Sequence, residues 1–179
     1  WVSDNATALS TYGEINAWDV SLITDMSDLF KERSTFNEDI SNWNVSNVED
    51  MQSMFAKAES FNQDLSDWDV SSVTNMSSMF YNAYSFNGDV STWDVSSVTT
   101  MHEMFYDADN FNQNLSNWNV SNVTDMTGMF QYANALSDLN KCFIHAAFQS
   151  NDAWPYDWSG ICTYIPDDNF EQALIDLGY

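Results

Sequence analysis

The chain has 179 residues, 44% of them apolar and 16% aromatic, which is enough to build a core and too much for a disordered segment. Twenty-seven acidic residues stand against four basic ones, a formal charge of −23 at pH 7. This balance excludes a phosphate-tracking surface, so no nucleic acid partner is expected, and no apolar run approaches the ~18 residues needed for direct membrane insertion.

Residues 1–17 read as a partial N-terminal cap. Ala6-Thr7-Ala8-Leu9-Ser10 keeps only a trace of the pattern that follows. The opening Trp1-Val2-Ser3-Asp4 has no signal-peptide character, and the expectation is a piece of a longer chain.

From residue 18 to residue 136 the chain repeats. Trp18, Trp43, Trp68, Trp93 and Trp118 lie 25 residues apart without insertions. Phe30, Phe55, Phe80, Phe105 and Phe130 keep the same interval, as do Met26, Met51, Met76, Met101 and Met126. A fixed period of this size predicts an α/β solenoid, in which each unit buries its apolar face only against its neighbours.

Within a unit, Met76, Met79, Phe80 and Ala83 fall at i, i+3, i+4 and i+7 and predict a short helix, with Thr74 or Asn75 as its cap. Thr24, Asp25, Asp50, Thr124 and Asp125 hold equivalent places. Phe86 then re-enters the core, and Val90, Trp93 and Val95 predict one short parallel strand with a bend at Ser91-Thr92. Ser96-Ser97 turns the chain and Val98 opens the next unit.

The unit Val73-Thr74-Asn75-Met76-Ser77-Ser78-Met79-Phe80, continuing to Ser91-Thr92-Trp93-Asp94-Val95-Ser96, resembles the BspA-like leucine-rich-repeat surface proteins of bacteria. The resemblance runs from about Ala8 to Leu136 and rests on the Met-x-x-Met-Phe and Ser-x-Trp-Asp/Asn-Val-Ser elements. It implies a leucine-rich-repeat-like right-handed coil. It also implies a secreted or cell-surface protein, often a lipoprotein or sorted adhesin, without enzymatic activity in the repeat. Departures fall in the first units: Thr11 for the file's Phe, Tyr12 for its Asn, and Arg33 for its Ala.

Like residues piled at a 25-residue interval form files. Asn37, Asn62, Asn87 and Asn112 follow the second core Phe and read as a structural amide ladder that satisfies neighbouring backbone. The tryptophan and methionine files read as core. Asp39, Asp64 and Asp89 form an acidic file, with Glu14 and Asn114 at its ends, and Asn44, Asp69, Asp94 and Asn119 a second one continuing from Asp19. Two carboxylates ~5 Å apart repel by about 1 kcal/mol in water, so each needs relief from solvent, from turn amides or from a cation. Oxygen-only ligands suit Ca²⁺, although no EF-hand loop or Gly-Gly-x-Gly-x-Asp repeat is present. Paired carboxylates also raise a glycosidase, but carboxylates recurring in every unit do not make one site with two differently tuned groups. No catalytic residue is expected.

Residues 137–164 read as a C-terminal cap: a capping helix over Leu136 to Phe148, then an ordered aromatic loop through Trp154-Pro155-Tyr156-Asp157-Trp158-Ser159-Gly160. Its two cysteines, Cys142 and Cys162, are expected to pair if the surface location implied by the resemblance holds, closing a loop worth roughly 3 kcal/mol; two free buried thiols are the alternative. A metal site using these cysteines with His102 or His145 has the wrong spacing. Ile165-Pro166-Asp167-Asp168-Asn169-Phe170 reads as the start of a following module over 165–179.

Two functions follow from different classes. One is a non-catalytic surface module for adhesion, binding an extracellular protein or glycan through Ser41, Ser66, Ser91 and Ser116 beside the second acidic file. The other is a structural spacer that holds neighbouring domains of the same chain away from the cell. A binder is expected to break the file pattern on an exposed face, and Lys31-Glu32-Arg33 is the one break that stands out.

Overall fold

The architecture follows from where each backbone N–H goes. In the computed structural model, which describes residues 5–162, the units lie side by side in a 25-residue register. Single parallel bridges join Asp25 to Asp50, Asp50 to Asn75, Asn75 to Thr100 and Thr100 to Asp125. Helices occur only outside the repeat among the described residues: α1 (Asn5–Tyr12), a 3-10 turn (Ile15–Ala17), α2 (Asp138–Phe148) and α3 (Ser159–Cys162).

The helix expected over Met76–Ala83 does not form. The amides of Met76, Ser78, Phe80 and Asn82 donate instead to the carbonyls of Thr100, His102, Met104 and Tyr106, one unit onward. Met79, Tyr81 and Ala83, between them, donate three residues back. The result is a ladder of tight turns in which alternate amides bond sideways rather than along a helix axis. Ser78 and Asn82 sit at φ 55° and 54°, the left-handed region that a helix does not tolerate. The same two places recur in every unit, at Asp28 and Glu32, Ser53 and Lys57, Glu103 and Asp107, and Gly128 and Tyr132. Left-handed backbone costs a non-glycine residue about 1–2 kcal/mol, and the inter-unit hydrogen bond offsets it. The i, i+3, i+4, i+7 apolar pattern is thus produced by a four-residue turn period, which buries Met76, Met79, Phe80 and Ala83 as a helix would.

The expected strand over Val90–Val95 is replaced by two turns. Trp93 donates to the carbonyl of Val90, and Val98 to that of Val95. The bend at Ser91-Thr92 and the turn at Ser96-Ser97 use up the length a strand needs. Parallel pairing is confined to the residue before each first Met.

The core is one continuous set of files. Phe30, Phe55, Phe80, Phe105 and Phe130 stack with ring centroids 5.4–5.7 Å apart. Inside each unit the second Phe lies against the first, as Phe80 does on Phe86 at 3.9 Å. Trp68, Trp93 and Trp118 stack at 6.5 and 6.3 Å. Each buried indole N–H bonds a carbonyl of the preceding unit: Trp43 to Ile15, Trp68 to Ile40, Trp93 to Leu65 and Trp118 to Val90. These donors have no access to water, so the file sets the register of neighbouring units as well as filling space.

The C-terminal end is covered. Ser137 caps α2 by accepting from the amide of Asn140, and Cys142, Ile144 and Phe148 are its buried face. Asn151 donates to the carbonyls of Val120 and Val123 in the last unit. The phenol of Tyr156 accepts from the amide of Phe130 at 2.8 Å, while Trp154 and Trp158 pack on the Phe130 ring. Cys142 and Cys162 are disulfide-bonded with Cα atoms 5.3 Å apart, tying α3 to α2. Residues 165–179, where a following module was expected, lie outside the described residues.

Candidate functional site

The Asn file is a hydrogen-bond ladder. Each Oδ1 accepts from the amide one unit onward: Asn37 from Asn62, Asn62 from Asn87, Asn87 from Asn112, and Asn112 from Ser137. Gln63 and Gln113 add a side-chain amide to Asn37 and Asn87, and Asn140 of α2 does the same for Asn112.

Both acidic files are turn residues. In the first, Asp39, Asp64, Asp89 and Asn114 accept from the amides of Ser41, Ser66, Ser91 and Ser116. In the second, Asp19, Asn44, Asp69, Asp94 and Asn119 accept from Ser21, Ser46, Ser71, Ser96 and Ser121. A side-chain oxygen bonding the amide two residues on is the Asx-turn, in which Asp and Asn are interchangeable. That accounts for the mixture of the two within one file. The amide of Ser41 holds the Asp39 carboxyl below its ordinary range, and the hydroxyl and amide of Ser96 do the same for Asp94. Ser41, Ser66, Ser91 and Ser116, expected on the exposed face, are half-buried with their amides engaged. No three His, Cys, Asp or Glu side chains converge to hold a metal ion among the described residues. The Lys31-Glu32-Arg33 break is partly self-paired, with Lys31 on Asp28 at 2.8 Å and Lys57 reaching back to Glu32 at 3.1 Å.

The break that sequence reasoning missed lies on the outer edge of the turn ladder. Tyr81 and Tyr106 occupy equivalent places one unit apart and stack with centroids 4.8 Å apart and planes 10° from parallel. Tyr132 meets Tyr106 edge-on at 5.2 Å and is 55% exposed. Burial, then the nearby Tyr132, Tyr81, Glu103 and Asp107, push the Tyr106 phenol above its ordinary range. Beside them the Asn82 amide donates to the phenol oxygen of Tyr84 at 2.8 Å. The file through Tyr81 and Tyr106 reads Lys31, Ala56, Tyr81, Tyr106, Gln131, so no periodicity flags it. The available signal was an aromatic pair at i and i+25 in a file that otherwise mixes charged, small and polar residues.

Two overlapping stretches, residues 2–98 and 68–153, match a family described as Mycoplasma protein of unknown function, DUF285. The chain belongs to this family. No curated protein and no solved structure shows significant similarity to it. The family description carries no activity, so the functional reading rests on the residues.

Next to the ridge, both ring nitrogens of His102 face carboxylates, Glu103 at 3.6 Å and Asp125 at 3.5 Å. The Glu103 chain lies across Gly128, where an added Cβ would sit 3.1 Å from its Cγ. An open cleft of about 640 Å³ separates the last unit from the loop after α2, lined by Asn119, Ser121, Thr124, Ser150 and Asp152 over the edge of Trp118. Of the candidate file residues, Asn119 alone borders it.

Proposed function

We propose that the protein is a non-catalytic interaction module of a bacterial cell surface or secreted protein, acting in adhesion by binding an extracellular protein or glycan on a leucine-rich-repeat-like solenoid of turn-built units. The single observation behind this reading is the tyrosine ridge. Tyr81 and Tyr106 are half-buried and Tyr132 is 55% exposed, so the three contacting rings form an aromatic edge that opens to solvent at Tyr132. Large aromatic side chains held by their neighbours lose little entropy on contact and commonly anchor interfaces. The Cys142–Cys162 disulfide supports an oxidising compartment.

The contact surface is moved from the acidic files to the ridge, because each file side chain already serves its own turn. The spacer reading is favoured by that same regularity: outside the ridge, the polar surface is occupied with local hydrogen bonds. Arrays of extracellular proteins and glycans test the choice. Retention of specific members, reduced by Tyr132→Ala, supports the module; uniformly empty arrays favour the spacer.

A further inference from the structure

We propose that the ridge of Tyr81, Tyr106 and Tyr132 receives an extended segment of a partner protein bearing arginine or lysine. The inference rests on the interaction-module reading and names the partner's chemistry. Glu103 and Asp107 flank Tyr106, whose amide donates to the Glu103 carbonyl at 3.1 Å and which Asp107 follows in the chain, and Tyr81 and Tyr132 adjoin it. A cation over an aromatic ring is held by the ring's electron-rich face, and a neighbouring carboxylate adds direct charge pairing. The chain offers the complementary field, with a net charge of −23. Of its Lys and Arg residues, Lys57 adjoins the ridge through its amide, which donates to the Tyr81 carbonyl, but its ammonium turns back to Glu32 at 3.1 Å; Lys31 and Arg33 belong to the first unit and Lys141 to α2.

The ridge's dimensions suit a polypeptide. With centroid steps of 4.8 and 5.2 Å, it runs on the order of 10 Å, about three residues of extended chain at ~3.3 Å each. Ala56 holds the place before Tyr81 in its file, and among the described residues no ring other than Tyr106 stacks on Tyr81. The hydroxyls of a neutral sugar could donate to the carboxylates but would leave their charge unpaired, whereas arginine or lysine pairs with it, so charge favours the cationic segment.

Fluorescence anisotropy with a labelled alternating Arg–Ser peptide, its Gln–Ser counterpart and a labelled neutral oligosaccharide tests the proposal. The cationic peptide is expected to bind and the other two to stay free. Tyr106→Ala with Tyr132→Ala, which leaves the net charge unchanged, is expected to weaken binding about tenfold. Glu38→Gln with Asp67→Asn, which removes two charges outside the ridge, is expected to change it less than about twofold in physiological salt. Thermal melts check that the variants fold; if the pair does not, Tyr132→Ala alone carries the test through its exposed ring. Equal affinity of the tyrosine variants and the parent would show diffuse charge attraction and overturn the proposal. Binding of the oligosaccharide in place of the peptide would also overturn it, in favour of a glycan. Arrays that retain partners while the Arg–Ser peptide stays free overturn this inference alone, whereas silence in both experiments overturns the wider reading.

Discussion

The two ends of the repeat carry the same kind of unit and treat it differently. At the C-terminal end, Met129 and Val123 stay buried because α2 and the aromatic loop cover them, and Phe130 has its amide bonded by Tyr156. At the other end, Leu29 and Ile23 are both 43% exposed, although their counterparts Met54 and Val48 are fully buried. There α1 serves only the tryptophan side, with the Tyr12 carbonyl accepting from the Trp18 indole at 3.2 Å. Among the described residues, nothing donates to the carbonyls of Asp25, Ser27, Leu29 and Lys31, the row that in later units receives the preceding unit's amides. A unit of this kind therefore has no burial of its own; its neighbours decide how much of it is core.

The largest expected effect tests that statement directly. Phe80→Ala, in a ring stacked on both sides, is expected to destabilise by about 3–5 kcal/mol in urea unfolding, whereas Leu29→Ala at the open end should cost under about 1 kcal/mol. Equal losses would mean that position in the stack does not matter. Next comes the covered end. Cys142→Ser with Cys162→Ser removes a cross-link across a separation of 20 residues, expected to cost about 3 kcal/mol. Hydrogen exchange should show the loss first in α2, with the amides of the first two units keeping their protection.

A smaller effect is expected from Asn87→Ala. It leaves the amide of Asn112 without its acceptor and the side chain of Gln113 with only the main-chain carbonyl of residue 87, for about 1 kcal/mol, mid-way between the two ends. Asn37→Ala removes the equivalent bonds to Asn62 and Gln63 near the open end, and a much larger loss there would break the comparison.

The smallest effect concerns pH. Asp19, Asp39 and Asp94 have carboxyls held low by their turn serines. The native state then binds fewer protons than the unfolded chain, so their contribution is present above the unfolded value and is lost as pH falls through the lowered native values. Acid titration of the melting temperature should show a decline below about pH 4. Asp94→Asn should flatten its share of that decline, since Asn44 and Asn119 make the same turn without a charge.

The 25-residue interval made the files legible before any coordinates, because identical side chains at a fixed interval leave one economical way to bury phenylalanine, methionine and tryptophan together. The Asn ladder was legible for the same reason. The candidate site was less so. The acidic files looked available for a ligand, yet an Asx-turn oxygen and a ligand oxygen are the same atoms in a sequence, and only the amides of Ser41, Ser66 and Ser91 told them apart. The tyrosine ridge escaped notice because Tyr81 recurs once, as Tyr106, in a file otherwise made of Lys31, Ala56 and Gln131, and a search for long files passes over a single pair.

By itself, the amino-acid sequence determined which residues share a file, which of them are apolar, and that each unit needs a neighbour. Only the tertiary structure decided how the backbone satisfies itself between files. The pattern Met76, Met79, Phe80, Ala83 is equally consistent with a helix and with a four-residue turn period, since both place those side chains on one side. What separates them is the partner of each amide. A hydrogen bond to a residue 24 positions later, as from Ser78 to His102, exists only once two units lie beside each other.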